Sequence, residues 1–222
     1  MSTFDKVWED VHRNRQWGKY PTIDVVKFVA RNYYNAERSK VKILDLGCGA
    51  GANTWFLAKE GFDAYGIDGS ETAIANAGSY LKTLGLTANF HVGDIAETPY
   101  ENNYFDAIVE CAVLFTNLVP GIRDILRECY RVLKVQGKIF STGLYNPETT
   151  LFGKGKKIED MTYTDIPGPP FEGLGRIHYF VREEIIELYT QAGFRNLQID
   201  KTLYTEYGGE LTLSYYNASG EK

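Results

Sequence analysis

The sequence predicts an α/β fold with a doubly wound, mainly parallel sheet. Short apolar runs alternate with segments of helical periodicity from Val41 to about Asn146. A glycine-rich loop follows the first apolar run and leads directly into a predicted helix. Because a crossover helix returns the chain to a neighbouring parallel strand, such alternation indicates successive βαβ units.

Two amphipathic helices precede this alternation. Residues 3–15 place apolar side chains at helical spacing, and a second helix begins near Thr22, after the break "WGKYP". Neither helix belongs to a strand–helix repeat. We therefore expect residues 1–36 to form an N-terminal helical cap that docks onto or covers another part of the fold.

The predicted core covers residues 41–143. Ser70 is a predicted N-cap, and Gly61 and Gly85 are predicted to end helices. The elements of this core, in chain order, are strand VKILDLG, helix ANTWFLAKEG, strand FDAYGID, helix SETAIANAGSYLKTLG, strand TANFHVGD, strand YFDAIVECAVLF, helix PGIRDILRECYRVLKVQG and strand KIFSTGLYN.

The remaining chain divides into an insertion and a final helix and hairpin. Residues 146–180 are rich in Gly, Pro, Lys and Thr and show no sustained period, and so long a connection is usually functional or disordered. Residues 181–218 contain a helix ended by Gly193 and two alternating strands, which suit an antiparallel hairpin at a sheet edge. We expect one domain over 1–222.

Composition excludes several classes of protein. The 222 residues carry a formal net charge of -5, which argues against a general nucleic-acid binder. No apolar run has membrane-spanning length and the N-terminus does not resemble a signal peptide, so a cytoplasmic protein without membrane contact is expected. The three cysteines and three histidines lack metal-ligand spacing, so we expect reduced thiols and no metal.

The glycine loop "ILDLGCGAGAN" is compatible with two ligands. Gly47, Gly49 and Gly51 follow a strand and precede a helix, where backbone N–H groups can approach negative charge. With Ala52, the loop satisfies the dinucleotide pattern GxGxxG/A. The glycines alone leave a dinucleotide and S-adenosylmethionine as alternatives.

Three acidic residues favour the second ligand. Asp45 lies at the end of the first strand, where its carboxylate would repel a pyrophosphate and attract an ammonium or sulfonium group. Asp68 ends the second strand, where an acid accepts ribose hydroxyls. Asp94 follows the third strand, where it can accept from an adenine amine while Ile95 packs on the ring. Together they predict a site for S-adenosylmethionine.

The motifs "ILDLGCGAGANTWFLA", "GIDGSETAIANA", "GDIAETPYENNYFDAIV", "RECYRVLKVQGKIF" and "FVREEIIELYTQAGF" resemble class I S-adenosylmethionine-dependent methyltransferases of the small-molecule type. The resemblance implies a Rossmann-like, seven-stranded sheet whose last strand is antiparallel. It also implies that the N-terminal helices and the insertion after strand five form a lid over the acceptor. The cofactor product would be S-adenosylhomocysteine.

The resemblance implies roles for particular residues. The Gly47–Gly51 backbone would hold the methionine end, and Glu110 and Cys111 would face its amino group. Several of the predicted residues have an alternative role. Asp45 could brace the loop, Glu110 could lie at the surface, and Asn53 could cap a helix. Trp17 and Tyr20 could pack in the core. The full set of predicted cofactor-binding residues is Asp45, Gly47, Cys48, Gly49, Asn53, Asp68, Gly69, Asp94, Ile95, Glu110, Cys111, Trp17 and Tyr20.

Methyl transfer needs chiefly alignment of the acceptor, with a base only for some acceptors. His178 and Tyr179, at the end of the insertion, are predicted as a base or acceptor-orienting pair; the alternative is that His178 packs under the lid. Basic residues of the cap and the insertion favour an anionic acceptor, phosphorylated or nucleotide-linked, with a solvated loop as the alternative. These residues are Arg13, Arg15, Lys19, Lys154, Lys156, Lys157 and Arg176.

The predicted function is methyl transfer to O or N of a small molecule by a monomer or homodimer. An NAD-dependent oxidoreductase is the alternative on a similar fold, although no Tyr-xxx-Lys pair follows strand four or five. A protein methyltransferase and a non-catalytic binding module are further alternatives. A nucleic-acid substrate is disfavoured by the net charge and by "ECAVLF" standing where an Asn/Asp-Pro-Pro-Tyr motif would be expected.

Overall fold

The structure, a computed structural model, describes residues 3–15 and 18–222. It confirms the predicted α/β fold, with a seven-stranded sheet of order β3-β2-β1-β4-β5-β10-β9. The strands of this sheet are β1 (Lys42–Leu46), β2 (Asp63–Asp68), β3 (Asn89–Val92), β4 (Phe105–Cys111), β5 (Leu133–Tyr145), β9 (Arg195–Glu206) and β10 (Leu211–Glu221).

The helices lie mostly where the apolar periodicity predicts them. Ser70 is the N-cap of α4, and its Oγ accepts from the backbone N of Ala73 at 3.0 Å. Gly193 ends α6 in the left-handed region at φ 107°, which a residue with a Cβ rarely adopts. The helices are α1 (Val7–Asn14), α2 (Ile23–Tyr33), α3 (Ala52–Lys59), α4 (Glu71–Thr83), α5 (Val119–Val132) and α6 (Arg182–Ala192). None of them, in the described part of the chain, is long and apolar enough to cross a membrane.

The C-terminal hairpin supplies the predicted antiparallel strand. β10 pairs antiparallel with both β5 and β9 and therefore lies inside the sheet, while β9 forms its edge. The two strands run over Arg195–Glu206 and Leu211–Glu221. This order places the ends of β4, β5 and β9 at the same edge as the glycine loop.

The insertion contains structure that the sequence does not predict. Short strands β6 (Lys156–Glu159), β7 (Thr162–Thr164) and β8 (Ile177–His178) form a separate antiparallel sheet. Strands of two to four residues are too short to show a period. The lack of a sustained period in the sequence therefore does not exclude short strands in this part of the insertion.

The two N-terminal helices dock at different places. α2 packs on the sheet, where Phe28 stacks on Phe140 with ring centroids 4.8 Å apart. α1 packs against α4, and its Glu9 accepts from Ser70 Oγ at 2.5 Å and from the hydroxyl of Thr72. These hydrogen bonds place the carboxylate at the N-terminus of α4, where the helix dipole favours negative charge, and lower the pKa of Glu9 to about 2.

The contact of Glu9 predicts how α1 is held. In Glu9→Ala the contact of α1 with α4 weakens, and amide exchange over residues 7–14 is expected to accelerate about tenfold, since hydrogen bonds to charged groups contribute about 1.5–3 kcal/mol. Hydrogen-exchange mass spectrometry measures this effect, with exposed Asp10→Ala on the same helix as the control. Because the pKa of Glu9 is lowered, the stability that its carboxylate contributes to the folded chain is complete above pH 4.5 and is lost as the pH falls through about 2. Equal exchange in the two variants at neutral pH would contradict this role.

Candidate cofactor-binding site

A cleft lies at the carboxyl ends of β1, β2 and β4, where ligands bind in open α/β sheets. The N-terminal segment covers one side of the cleft and the glycine loop forms its floor. Its lining residues are Thr3, Phe4, Asp5, Trp8, His12, Gly18, Tyr20, Thr22, Gly47, Cys48, Gly49, Ala50, Ala52, Asn53, Asp68, Gly69, Gly93, Ile95, Cys111, Ala112, Val113, Thr116 and Asn117.

The glycine loop adopts backbone angles that favour glycine. Gly47 and Gly49 have φ values of 66° and 51°, in the left-handed region. A Cβ on Gly47 would lie 2.5 Å from Cγ2 of Val113, which is too close for any side chain. The loop therefore requires glycine at this position both for its backbone angles and for its contact with the loop after β4.

Asp68 holds the glycine loop and lines the cleft. Its Oδ2 accepts from the backbone N of Gly49 at 2.8 Å, and its Oδ1 accepts from the N of Ser70 at 2.9 Å. Burial raises the pKa of Asp68, while these two hydrogen bonds oppose the increase. Gly69, Ile95 and Cys111 also line the cleft, so these predicted residues meet at one site.

Asn53 provides an unpaired acceptor in the same cleft. Its side chain is buried, and Oδ1 has no hydrogen-bond partner among the described residues, whereas Nδ2 lies 3.5 Å from Asp45. A buried amide oxygen without a donor is costly unless a ligand supplies one. The ammonium group of S-adenosylmethionine is such a donor, so the residues present fit the predicted cofactor.

Asp45 does not line the cleft, and its contact with the ligand stays a prediction. It is 1% exposed, and its Oδ2 accepts from the backbone N of Thr54 at 2.9 Å and from Thr54 Oγ1 at 2.7 Å. Burial raises its pKa to about 6. The pleat at the end of β1 turns this side chain toward the first turn of α3, so Asp45 braces the loop from behind.

Glu110 does not line the cleft either, and the role that the resemblance implies for it stays a prediction. Its Oε1 accepts from the backbone N of Val113 at 2.5 Å and of Leu114 at 3.0 Å, so the side chain caps the turn after β4. Oε2 is buried without a described partner, and burial raises the pKa of Glu110 to about 7. Its neighbour Cys111 lines the cleft instead.

The variant Glu110→Gln tests this assignment. Gln keeps an acceptor for the backbone N of Val113 and removes the charge. Because burial raises the pKa of Glu110 to about 7, ionisation of Glu110 lowers the stability of the folded chain as the pH rises from 4.5 through about 7. We expect urea unfolding at pH 8.5 to give E110Q a free energy of unfolding about 2 kcal/mol above the unmodified chain, and no difference at pH 4.5. Exposed Glu101→Gln is the control. If E110Q lost affinity for S-adenosylmethionine without a change of stability, Glu110 would be assigned to cofactor binding instead.

Asp94 is engaged by the N-terminal segment. Its Oδ2 accepts from the backbone N of Thr3 at 2.8 Å, the Thr3 hydroxyl also contacts this carboxylate, and Oδ1 accepts from the N of Ala96 at 3.0 Å. Asp94 does not line the cleft in this arrangement, although Thr3 does. Contact of Asp94 with an adenine amine stays a prediction, and it requires Thr3 to move or to share the carboxylate.

The N-terminal segment supplies cleft residues that the sequence does not assign to the cofactor. Phe4 packs over Gly69, because a Cβ there would lie 2.2 Å from the Phe4 ring. His12 packs over Gly49, since a Cβ on Gly49 would lie 3.2 Å from Cε1 of the His12 ring. Burial lowers the pKa of His12. The aromatic residues at helical spacing in 3–15 signal a buried face, but not what it covers. Tyr20 lines the cleft and is 80% exposed, whereas Trp17 lies outside the described residues.

His178 and Tyr179 do not reach the cleft. His178 is fully buried, with Nδ1 2.7 Å from Thr162 Oγ1 and Nε2 3.2 Å from Glu184 Oε2. Tyr179 is buried in an aromatic cluster with Phe152 and Phe171, and burial raises its pKa. This placement agrees with the alternative that His178 packs under the lid, and a catalytic role for the pair stays a prediction.

The insertion contacts the N-terminal segment rather than the cleft. Arg176 Nε lies 3.3 Å from Asp5 Oδ2, and Arg15 donates to the carbonyl of Glu172 at 3.3 Å. No described residue of 146–180 lines the cleft. The basic residues that favoured an anionic acceptor are thus partly paired within the protein. Over 3–15 and 18–222, no group of three or more His, Cys, Asp or Glu is placed to hold a metal.

Residues 43–137 match the methyltransferase domain family. A demethylmenaquinone methyltransferase of Thermotoga maritima is 30% identical over 165 residues, which cover 69% of this chain and 69% of that protein. A ubiquinone biosynthesis O-methyltransferase of Methylococcus capsulatus is 31% identical, over 60% of this chain and 58% of that protein. An uncharacterized protein of Haemophilus influenzae is 25% identical, over 78% of this chain and 62% of that protein. The chain thus spans less than two thirds of the last two relatives.

Solved structures agree with the fold. A SAM-dependent methyltransferase of Methanosarcina mazei superposes with a TM-score of 0.70 at 24% identity, covering 85% of this chain and 95% of that one. Phosphoethanolamine N-methyltransferase 2 of Haemonchus contortus, in complex with S-adenosylmethionine, superposes with a TM-score of 0.68 at 15% identity. The superposition covers 97% of this chain and 56% of that one. The sequence match, the sheet order and the cleft together place this chain in the family of class I S-adenosylmethionine-dependent methyltransferases, with S-adenosylmethionine as its cofactor.

Proposed function

We propose that this protein transfers a methyl group from S-adenosylmethionine to an oxygen or nitrogen atom of a small molecule. The observation that carries the proposal is the cleft in which the glycine loop, the Asp68 carboxylate and the unpaired Asn53 oxygen meet. A carboxylate suits ribose hydroxyls and an amide oxygen suits an ammonium group. These partners describe an adenosine at one end of the cleft and an amino acid at the other.

When bound, S-adenosylmethionine would supply a methyl group: its carbon would bond to a lone pair of the acceptor, the carbon–sulfur bonding pair would stay on sulfur, and a methylated O–H or N–H group would release its proton to solvent. The chain's own contribution is binding, orientation and exclusion of water. Asp68 fixes the glycine loop through Gly49, and Asn53 is placed to accept from the amino group. Phe4 and His12 cover the cleft from the N-terminal segment, which shields it from solvent.

The acceptor is proposed only as a small molecule. Two relatives carry names that refer to quinones, which supports a small ring-bearing acceptor. The earlier expectation of a phosphorylated or nucleotide-linked acceptor rests on basic residues, of which Arg176 pairs with Asp5 and Lys157 with Asp160. An anionic group is therefore not required by the proposal.

A transfer assay tests the function. The chain is incubated with S-adenosylmethionine labelled in its methyl group and with a panel of small hydroxyl and amine acceptors, each beside its phosphorylated counterpart. We expect label in at least one acceptor, with S-adenosylhomocysteine formed in equal amount. Cofactor binding with no transfer to any small molecule, but with label in added protein, would favour the protein methyltransferase alternative.

A further inference from the structure

Three tyrosines form a continuous row beside the cleft. Tyr145 ends β5 and pairs directly with Tyr215 of β10, with ring centroids 5.9 Å apart. Tyr204 of β9 follows, with its ring centroid 6.3 Å from that of Tyr215 and the planes at 86°. Tyr215 pairs with Thr202, two residues before Tyr204, so both tyrosines stand on the same face of the sheet. We call Tyr145, Tyr215 and Tyr204 the tyrosine row.

The inner end of the tyrosine row lies next to the loop after β4: the ring centroid of Tyr145 is 5.1 Å from that of Phe115, which directly precedes the cleft-lining Thr116. Cys111 lines the cleft, and its Sγ lies 3.9 Å from the Oγ1 of Thr22, which lines it too. Burial raises the pKa of Tyr145. The Tyr145 hydroxyl has no hydrogen-bond partner among the described residues, so it is free to donate to a ligand.

Glu206 gives the outer end of the tyrosine row a negative charge. The Tyr215 hydroxyl donates to Asp24 Oδ2 at 3.0 Å, and Lys27 lies 3.7 Å from the other oxygen of Asp24. Glu206, at the end of β9, is exposed and has no ion pair within the described residues. Tyrosine rings attract cations through their faces, and Glu206 adds a full negative charge at the outer end.

We propose that the tyrosine row is the acceptor platform of this enzyme and that it selects a ring-bearing amine. The inference rests on the proposed methyl transfer and names the class of its acceptor. The ring of the acceptor packs on the tyrosine faces, its ammonium group lies toward Glu206, and Tyr145 orients the end nearest the cleft. Tyr145, Tyr204 and Glu206 are then specificity-determining residues, distinct from the residues that hold the cofactor.

Two probes with the same ring and opposite charge test the proposal. The chain is first titrated to saturation with S-adenosylhomocysteine, and calorimetry measures this binding. The saturated chain is then titrated with tyramine or with 4-hydroxyphenylacetate. We expect tyramine to bind about tenfold more tightly than 4-hydroxyphenylacetate, from the cation–π contribution of partly exposed rings. Tyr204→Ala should remove most of this preference, Tyr204→Phe should restore it, and Glu206→Gln should reduce it. Tyr207→Ala, at an exposed position of the same hairpin, is the control and should leave it unchanged.

Equal affinities for the two probes, or tighter binding of 4-hydroxyphenylacetate, would overturn the proposal. The same conclusion follows if Tyr207→Ala changes the preference as much as Tyr204→Ala does. The titration with S-adenosylhomocysteine tests the proposed function separately, because a chain that fails to bind it contradicts methyl transfer itself. Normal binding of S-adenosylhomocysteine without a preference for tyramine contradicts the acceptor platform alone.

Discussion

Replacement of Asp68 by Asn is expected to weaken S-adenosylmethionine binding about 100-fold, since hydrogen bonds to a charged acceptor contribute about 1.5–3 kcal/mol each. The carboxylate is predicted to accept from both ribose hydroxyls, and it already accepts from the backbone N of Gly49 and of Ser70. An amide offers one acceptor oxygen and turns an N–H group toward one of these donors. The variant thus loses ligand contacts and loosens the loop, which isothermal calorimetry detects as a change in affinity.

The control for this variant lies on the same strand. Asp63→Asn changes the carboxylate at the opposite end of β2, far from the cleft. Its affinity for S-adenosylmethionine should equal that of the unmodified chain. An unchanged affinity in Asp68→Asn, with the fold intact by circular dichroism, would show that Asp68 does not hold the cofactor.

Replacement of Asp45 by Ala is expected to lower the free energy of unfolding by about 3 kcal/mol, because buried donors left without a partner cost about 1–3 kcal/mol each. The backbone N and the hydroxyl of Thr54 both donate to Asp45 Oδ2, and Thr54 is fully buried. Both donors would remain without acceptors at the start of α3. Urea denaturation at pH 7.5 measures the effect.

A second variant separates the two donors of Thr54. Thr54→Val removes the hydroxyl and keeps the backbone donor bound to Asp45, so we expect a loss of about 1 kcal/mol. Asp200→Ala, on the edge strand β9, serves as the surface control and should be neutral. If Asp45→Ala proved no less stable than Asp200→Ala, the brace would be wrong, and the carboxylate would have to be assigned to the ligand after all.

The sequence predicts the parts of the fold that local chemistry determines. The alternation of strands and helices, the N-cap at Ser70 and the glycine that ends α6 depend on residues close together in the chain, and the structure confirms each of them. The small sheet of the insertion depends on pairing between strands of two to four residues. Such pairing is set by tertiary contacts, so no period reveals it.

The same division applies to the site. That Asp68 and Ile95 line the cleft follows from their positions after parallel strands, where side chains meet at one edge. The direction of Asp45 and Glu110 depends on the strand pleat and on the loop that follows, and the sequence gives no measure of either. The contact between Thr3 and Asp94 joins residues 91 positions apart, which composition and spacing do not reveal.

Calorimetric titration of the unmodified chain with S-adenosylmethionine and, separately, with NAD tests the central claim most directly. The glycine loop alone is compatible with either ligand, whereas the unpaired Asn53 oxygen and the Asp68 carboxylate, which line the same cleft, provide acceptors suited to an ammonium group and a ribose. We predict saturable binding of one S-adenosylmethionine per chain and no heat of binding with NAD. Saturable binding of NAD with none of S-adenosylmethionine would contradict the account.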